Sequence, residues 1–423
     1  MQALHLSAFL AIKLFISMSQ KNAGQQYSTG WIILLALFTS LGPLSIDMYL
    51  PALPQMAQDF NATTQQVANS LPAYFFGLAL GQLIYGPISD RIGRKKPLYF
   101  GMALFTCASL LCVLVDDHWS LIAVRVLQAL GGCVGVVMAR AAIRDRLDVQ
   151  GSAQAFASMM MVMGVAPVLA PTLGAWILYF FDWHYVFICL MLVGMLCFIC
   201  VHFFFKETLP VERRLNLTFT QVFLLYGAIF KDRSFHLPML AGCLTGAALF
   251  AYIGSAAAVL MDQYHLNEQL FAYAFGLNAL GIIFVSFLNK KLAAKFSVVQ
   301  RLKLGGISQI TGSIIIVIAG LLVDVPLWVV MIGLFMTVSG IGFTGPNSMA
   351  LAMSQQGARA GTASAIMGSM QFTCGLIGGI LLNFLYGNHV LNMGILMLGF
   401  TLAGGIAIYF VSRELKLQSQ VSK

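Results

Sequence analysis

Gly86-Pro-Ile-Ser-Asp-Arg-Ile-Gly-Arg-Lys-Lys96 is a basic connector between two long apolar runs, 70–88 and 98–115. Its cations set a pattern that the whole chain repeats. Of 24 lysines and arginines, all but two sit in short gaps between apolar segments, and only in every second gap. These are Lys13 and Lys21, Arg91 to Lys96, Arg144 and Arg146, Lys206 to Arg233, Lys290 to Lys303, Arg359, and Arg413 to Lys423. The intervening gaps hold acids, amides and His118, His184, His265 and His389, but no Lys or Arg. Such alternation is the charge asymmetry of a multi-pass membrane protein, whose cytoplasmic loops concentrate Lys and Arg. The exceptions are Arg140, at a segment end from which it can snorkel, and Arg125, well inside a segment.

Working outward from the connector, twelve segments are long and apolar enough to span: 31–52, 70–88, 98–115, 119–141, 153–180, 185–205, 237–261, 270–288, 304–323, 326–353, 362–386 and 390–411. A composition that is 59% hydrophobic and 9% charged leaves too little polar surface for a water-soluble globule. A β-barrel would show strict alternation over about 10 residues. Runs such as 190–205 show none, so the expected fold is an all-α bundle of twelve transmembrane helices in two six-helix halves. The net charge of +9 reads as membrane orientation, not nucleic-acid binding. Most of the eight cysteines fall inside spans, which argues against a disulfide framework. Cys197 and Cys200 form a CxxC inside an apolar helix with no second pair nearby, so packing outweighs metal or redox use.

The divisions follow from charge. Residues 1–30 form a cytoplasmic N-terminal segment, its first 20 residues either an interfacial stretch or lead-in to a start at Met18. Two six-helix halves, 31–205 and 237–411, flank the strongly charged linker 206–236, and 412–423 is a cytoplasmic tail. Residues 222–230 in the linker are apolar enough for an amphipathic surface helix. A weak repeat supports the halves: Asn289-Lys-Lys-Leu-Ala-Ala-Lys-Phe-Ser297 stands after span eight where the opening connector stands after span two, basic but lacking its acid and glycines.

In the connector, Gly86 and Gly93 permit a turn and Pro87 interrupts the backbone. Asp90 is an acid where orientation alone asks only for Lys and Arg. One reading is a tight connector with a helix-capping Asp. The other is a gate of Gly86, Asp90, Arg91, Gly93 and Arg94, with Asp90 docked on the N-terminus of span eleven near Gly361-Thr-Ala-Ser364.

Two charges lie deeper. Asp47 is an acid within span one, where burial costs about 2.5–3.5 kcal/mol on insertion scales and marks function, unless Pro51 and Pro54 end the helix at the interface. Arg125 lies about 9 Å below the outer end of span four, at 1.5 Å per residue. Both occupy the same leaflet, so an Asp47–Arg125 pair is expected. Tyr74, Gln82, Asn278, Asn347 and Gln371 are polar or amphipathic within spans and either line a central cavity or tie helices together. Gly340-Ile-Gly-Phe-Thr-Gly345 matches a dinucleotide fingerprint but opens no βαβ unit, so it carries no cofactor expectation.

The opening connector resembles the loop pattern G-x-L-A/S-D-R-x-G-R-K of the major facilitator superfamily, with Ile88 in the Leu place. Pro43-Leu-Ser-Ile-Asp-Met-Tyr-Leu-Pro-Ala-Leu-Pro54, Gly81-Gln-Leu-Ile-Tyr-Gly-Pro87 and Trp183-His-Tyr185 are similar to the Bcr/CflA group of bacterial drug:proton antiporters, closely in the first half and loosely in the second. Arg125-Val-Leu-Gln128 matches the superfamily's R-x-x-Q-G except for Ala129. Ala170, Pro171 and Gly174 fit the spacing of its span-five antiporter motif G-x8-G-x3-G-P-x2-G-G, with Ala in several glycine places. The resemblance implies proton-coupled export of small, largely apolar drugs of bicyclomycin or chloramphenicol type from the bacterial inner membrane. Asp47 would alternate between ionised and protonated forms beside Arg125. The expected partners are drugs, protons and the lipid bilayer, with no cofactor, no metal and no nucleic acid, and the chain acting as a monomer. A proton-coupled metabolite exporter or importer is the alternative on the same fold. An embedded enzyme would need a nucleophile–base set or metal cluster within the spans, which the sequence does not offer.

Overall fold

The computed structural model describes residues 28–147, 149–214, 219–322, 324–356, 360–385 and 387–421; the N-terminal stretch with Lys13 and Lys21, and Arg359, lie outside the described residues. Each of the twelve apolar segments is a helix: α1 (Thr29–Asp47), α2 (Ser70–Ile92), α3 (Lys95–Val113), α4 (His118–Arg146), α5 (Val149–Phe180) and α6 (His184–Phe203), then α7 (Arg233–Ala257), α8 (Glu268–Leu292), α9 (Val298–Leu321), α10 (Leu327–Ser339, continued by Ile341–Met353), α11 (Ala360–Leu382) and α12 (His389–Val421). Among the described residues, eleven helices are long and apolar enough to cross a membrane, and α5 contributes the shorter apolar stretch Val165–Phe180. No strand occurs among them.

Local chemistry sets the ends. Asp117 caps α4 by accepting from the backbone N–H groups of Trp119 and Ser120 at 2.8 and 3.0 Å, and Ser297 and Gln300 form a capping box on α9. Gly93, at φ +92°, stops α2 in a conformation that disfavours other residues. The span-one segment divides after Asp47 into a short 3₁₀ turn, Leu50–Ala52, and a helix, Leu53–Asp59, because Pro51 and Pro54 bring no N–H to the preceding turn.

The helices group by halves. α1, α2 and α3 pack against α4 and α6 packs on α3, while α7 and α9 pack against α12 and α10 packs on α7 and α9; α2–α11 and α5–α8 join the halves. The α2–α11 seam is close because α11 presents glycines to it: a β-carbon at Gly375 would come within 3.2 Å of the Phe75 ring, and those at Gly368 and Gly379 would strike Gln82 and Pro72. Phe75 of α2, Phe250 of α7 and Phe372 of α11 form an aromatic cluster across the seam, with Phe75 and Phe250 centroids 4.6 Å apart. Outward faces expose Phe100, Trp176, Leu196, Phe284 and Ile307, an apolar coat suited to lipid.

The linker forms the expected surface helix, Phe219–Lys231, which packs on α7 and α11. Its Ile229 is buried with Phe235 and Met239. Tyr226 reaches further. Its hydroxyl donates to the carbonyl oxygen of Leu83 at 3.0 Å. Leu83 lies four residues before Pro87, which has no N–H to offer that carbonyl, so the linker fills the vacancy. This corrects the expected turn at Gly86. Pro87 sits within α2, the helix runs on to Ile92, and a β-carbon at Gly86 would meet nothing within 4 Å. Of the two connector glycines, only Gly93 is required by the backbone.

Candidate transport site

The end of α1 and the buried face of α4 make the most unusual polar cluster. Arg125 is fully buried. Its Nη1 donates to Gln128 Oε1 at 2.6 Å, and Gln128 Nε2 donates to Ser109 Oγ at 2.8 Å. Its Nη2 donates to the carbonyl oxygen of Ser45 at 2.8 Å. The guanidinium carbon lies 4.5 Å from the Tyr49 ring centroid and 4.2 Å from that of Tyr74. Ser45 is in the last turn of α1, where carbonyls lack intrahelical donors and the helix dipole favours a cation. Two aromatic faces complete the cage.

Asp47 is buried beside this cage but does not join it. The ion pairs among the described residues are Arg94–Asp90, Arg94–Asp145 and His184–Asp182, so the expected Asp47–Arg125 pair is absent. A carbonyl and an amide oxygen occupy the two Nη groups between two π faces, while the Nε has no hydrogen-bond partner among the described residues. Asp47 Oδ1 has no hydrogen-bond partner among the described residues. The carboxylate is within electrostatic range of Tyr252 on α7, whose hydroxyl accepts from Asn278 Nδ2 of α8 at 3.1 Å.

The α5 motif supports the same spot. Ala170, Pro171 and Gly174 are buried, and a β-carbon at Gly174 would strike the Met48 carbonyl oxygen and come 3.2 Å from Pro51 Cγ. Small residues on α5 therefore seat the turn that follows Asp47.

At the opposite end, Arg94 organises the connector. It donates to Asp90 Oδ1 at 2.5 Å, to Ser89 Oγ at 2.7 Å, and to both Asp145 oxygens at 2.9 and 3.2 Å. Glu207 Oε1 accepts from the backbone N–H groups of Arg94, Thr208 and Leu209, and Oε2 from that of Lys95. Burial raises the Glu207 carboxyl, but the N–H groups of Leu209, Arg94, Lys95 and Thr208 outweigh it and hold the group below its ordinary value. Gly93 admits this carboxylate, since a β-carbon there would lie 2.6 Å from Glu207 Oε2. Arg91 points outward and is exposed.

Asp90 shares a cavity of about 330 Å³ with Gly361, Thr362 and Ser364, yet its hydrogen bond is to Arg94. The first turn of α11 meets α4 instead: Arg140 Nη1 donates to Ser364 Oγ at 3.3 Å, and a β-carbon at Gly361 would lie 2.5 Å from Arg144 Nη1. Arg140 therefore faces the seam and does not snorkel.

The five expected cavity residues separate. Gln82 lines the 330 Å³ cavity against α11, and Gln371, exposed on α11, lies near Gly246 of α7. Asn278 holds Tyr252, and Tyr74 belongs to the arginine cage. Asn347 is a tie: its Nδ2 donates to Asn289 Oδ1 at 3.0 Å and to the Phe343 carbonyl at 2.8 Å. Arg301 Nη1 donates to the same Asn289 oxygen at 2.7 Å. This knot is the second half's counterpart of the Arg94 cluster, with the uncharged Asn289 in the acid's place. Asn289 stood in the repeat, but Arg301, Asp145, Glu207 and Tyr226 carried no motif that singled them out.

A family model described as Major Facilitator Superfamily matches residues 35–381. The chain is 34% identical over 384 residues to the uncharacterized MFS-type transporter YdgK of Bacillus subtilis (strain 168), covering 90% of this chain and 95% of that one. It is 29% identical to the bicyclomycin resistance protein homolog of Haemophilus influenzae (strain ATCC 51907 / DSM 11121 / KW20 / Rd), over 93% of this chain and 99% of the relative. Among solved structures, the human organic anion transporter MFSD10 (TETRAN) superposes with a TM-score of 0.69 at 14% identity, covering 90% of this chain and 98% of that one, which speaks to fold alone.

Proposed function

Because this chain belongs to the major facilitator superfamily, and is thus a multi-pass membrane transporter and not an enzyme, we propose that it is a proton-coupled antiporter exporting small, largely apolar drugs. In this reading both termini and the 206–236 linker face the cytoplasm of a bacterial inner membrane, the chain works as a monomer, and the halves 31–205 and 237–411 rock about the site.

The observation that carries the proposal is Asp47: a buried acid with a bare Oδ1, seated where α1 ends and within electrostatic range of Tyr252 of the other half. An ionised carboxylate without partners is costly in a low-dielectric site, whereas a protonated one is tolerated. Proton loss therefore favours any arrangement that brings water or a donor to Oδ1, and the second half carries the polar pair Tyr252 and Asn278. Protonation and the relative position of the halves become linked. Arg125 acts as the fixed point, holding the end of α1 to α4 through Ser45. The similarity to a bicyclomycin resistance protein homolog, and the aromatic seam of Phe75, Phe250 and Phe372, favour apolar substrates.

The test is drug uptake into inside-out vesicles energised by a proton gradient, across chemically diverse drugs. Accumulation that collapses with the gradient and is absent in Asp47→Asn supports the reading. Accumulation of sugars or amino acids in place of drugs would sink it.

A further inference from the structure

A second cavity, about 630 Å³, opens on the outside of the bundle where α1 begins and α4 and α6 end. It has no part in the transport site. Its mouth carries Arg146 and Lys206, both exposed, at the end of the bundle where the Lys and Arg gaps fall. Its floor is apolar: Ile33, Leu34 and Leu37 of α1, with Cys200 of α6 and Phe204 just past its end.

The two cations are not neutralised by the acids beside them. Asp145, next to Arg146, accepts from Arg94 and from Thr208 Oγ1. Glu207, next to Lys206, spends both oxygens on four backbone N–H groups. No carboxylate among the described residues forms an ion pair with Arg146 or Lys206. The Arg146 guanidinium lies 5.3 Å from the Trp31 ring centroid, which holds it over the mouth. The positive end of α1 opens there too, at Ser28 and Gly30.

We propose that this groove binds one anionic phospholipid, its phosphate between Arg146 and Lys206 and its acyl chain along Ile33, Leu34 and Leu37. Charge and geometry select this occupant. From Gly30 to Leu37 the floor runs about 10 Å at 1.5 Å per residue, roughly two thirds of one leaflet's hydrocarbon half. A basic mouth over an apolar slot between helix ends is the arrangement that anionic headgroups fill, and a neutral headgroup leaves both cations without a counter-charge. Residues 1–27 carry Lys13 and Lys21 and no acid, so the chain's own N-terminal stretch brings no counter-charge either.

The experiment is native mass spectrometry of the full chain in detergent, titrated with phosphatidylglycerol or with phosphatidylcholine. The wild type should retain one phosphatidylglycerol and prefer it over phosphatidylcholine by roughly thirty-fold, the sum of two basic side chains at an anionic interface. R146Q/K206Q should lose that preference. K290Q/K291Q, which removes as much charge from another loop at the same end, should keep it. The single change K206Q, on an exposed side chain, gives an intermediate preference and guards against a double variant that fails to fold. Equal retention of both lipids, as expected if neutral lipid or the chain's N-terminal residues fill the groove, would overturn the proposal. So would equal loss in both double variants.

Discussion

Arg125 Nη2 meets the carbonyl oxygen of Ser45 at 2.8 Å, so the buried cation of α4 is bound to the backbone that ends α1. A cation held this way is structural as well as electrostatic. It fixes where α1 stops and therefore where Asp47, two residues on, is presented.

From that relationship, Arg125→Lys should fail although it keeps the charge. An ammonium is a point donor that cannot serve Ser45, Gln128 and two ring faces together. Losing one charged hydrogen bond costs about 2 kcal/mol, so the melting temperature should drop by several degrees and efflux at least tenfold. Tyr74→Phe keeps the ring face and should stay near wild type in both measurements. Wild-type melting and transport in the Lys variant would show that charge alone matters.

Gly174 makes a second test of the same support. Its β-carbon position is occupied by the Met48 carbonyl, whereas at Gly42 nothing lies within 4 Å. Gly174→Ala should displace the end of α1 and cut efflux strongly at normal expression, while Gly42→Ala should be tolerated. If the two variants transport equally, the α5 motif is ordinary packing.

The legibility of this chain divides along a physical line. Helices and their order are written in apolar runs and in the Lys and Arg gaps, because lipid and the charge asymmetry act on each segment by itself. The partner of Arg125 was not legible, because Ser45 offers a backbone carbonyl that becomes available only once α1 ends and is carried to α4. A search for opposite charge pointed to Asp47. The connector hides its helical course for a related reason: Pro87 stays within α2, and Tyr226, far along the chain, takes the carbonyl it leaves free. Asn347 was ambiguous between cavity and tie until Asn289 and Arg301 met it.

The Arg94 cluster should behave as one unit. Asp90→Asn weakens its bond to Arg94, and Arg94 in turn holds Asp145 of α4, whose neighbours Arg140 and Arg144 meet α11. Spin labels at the ends of α2 and α11 beside this cluster should move apart and transport should slow several-fold. An unchanged distance distribution with full transport would leave Asp90 as a simple connector residue.

Glu207 gives the cluster a pH signature. Its folded-state value is depressed, so its contribution is fully present above the unfolded value of 4.5 and is lost as pH falls through the lower folded value. Thermal melting in detergent should show the wild type converging on Glu207→Gln under acid, with the wild type more stable at neutral pH. A difference that does not shrink with acid would place the effect elsewhere.

The last expectation concerns coupling and follows from the embedded charges. In the proposed mechanism Arg125 is the caged fixed cation and Asp47 the acid that exchanges a proton with each side in turn. One carboxyl implies one proton per cycle. Exporting a neutral drug for one proton then carries one positive charge inward, so the membrane potential alone can drive it, at about 2.3 kcal/mol per 100 mV. Exporting a monovalent cation for one proton moves no net charge and needs a pH gradient instead. In vesicles with the potential clamped apart from the gradient, neutral-drug efflux should persist at zero pH difference and cation efflux should stop. Asp47→Asn should abolish both. Neutral efflux indifferent to the potential, or proton exchange surviving in the Asn variant, would require a second proton site.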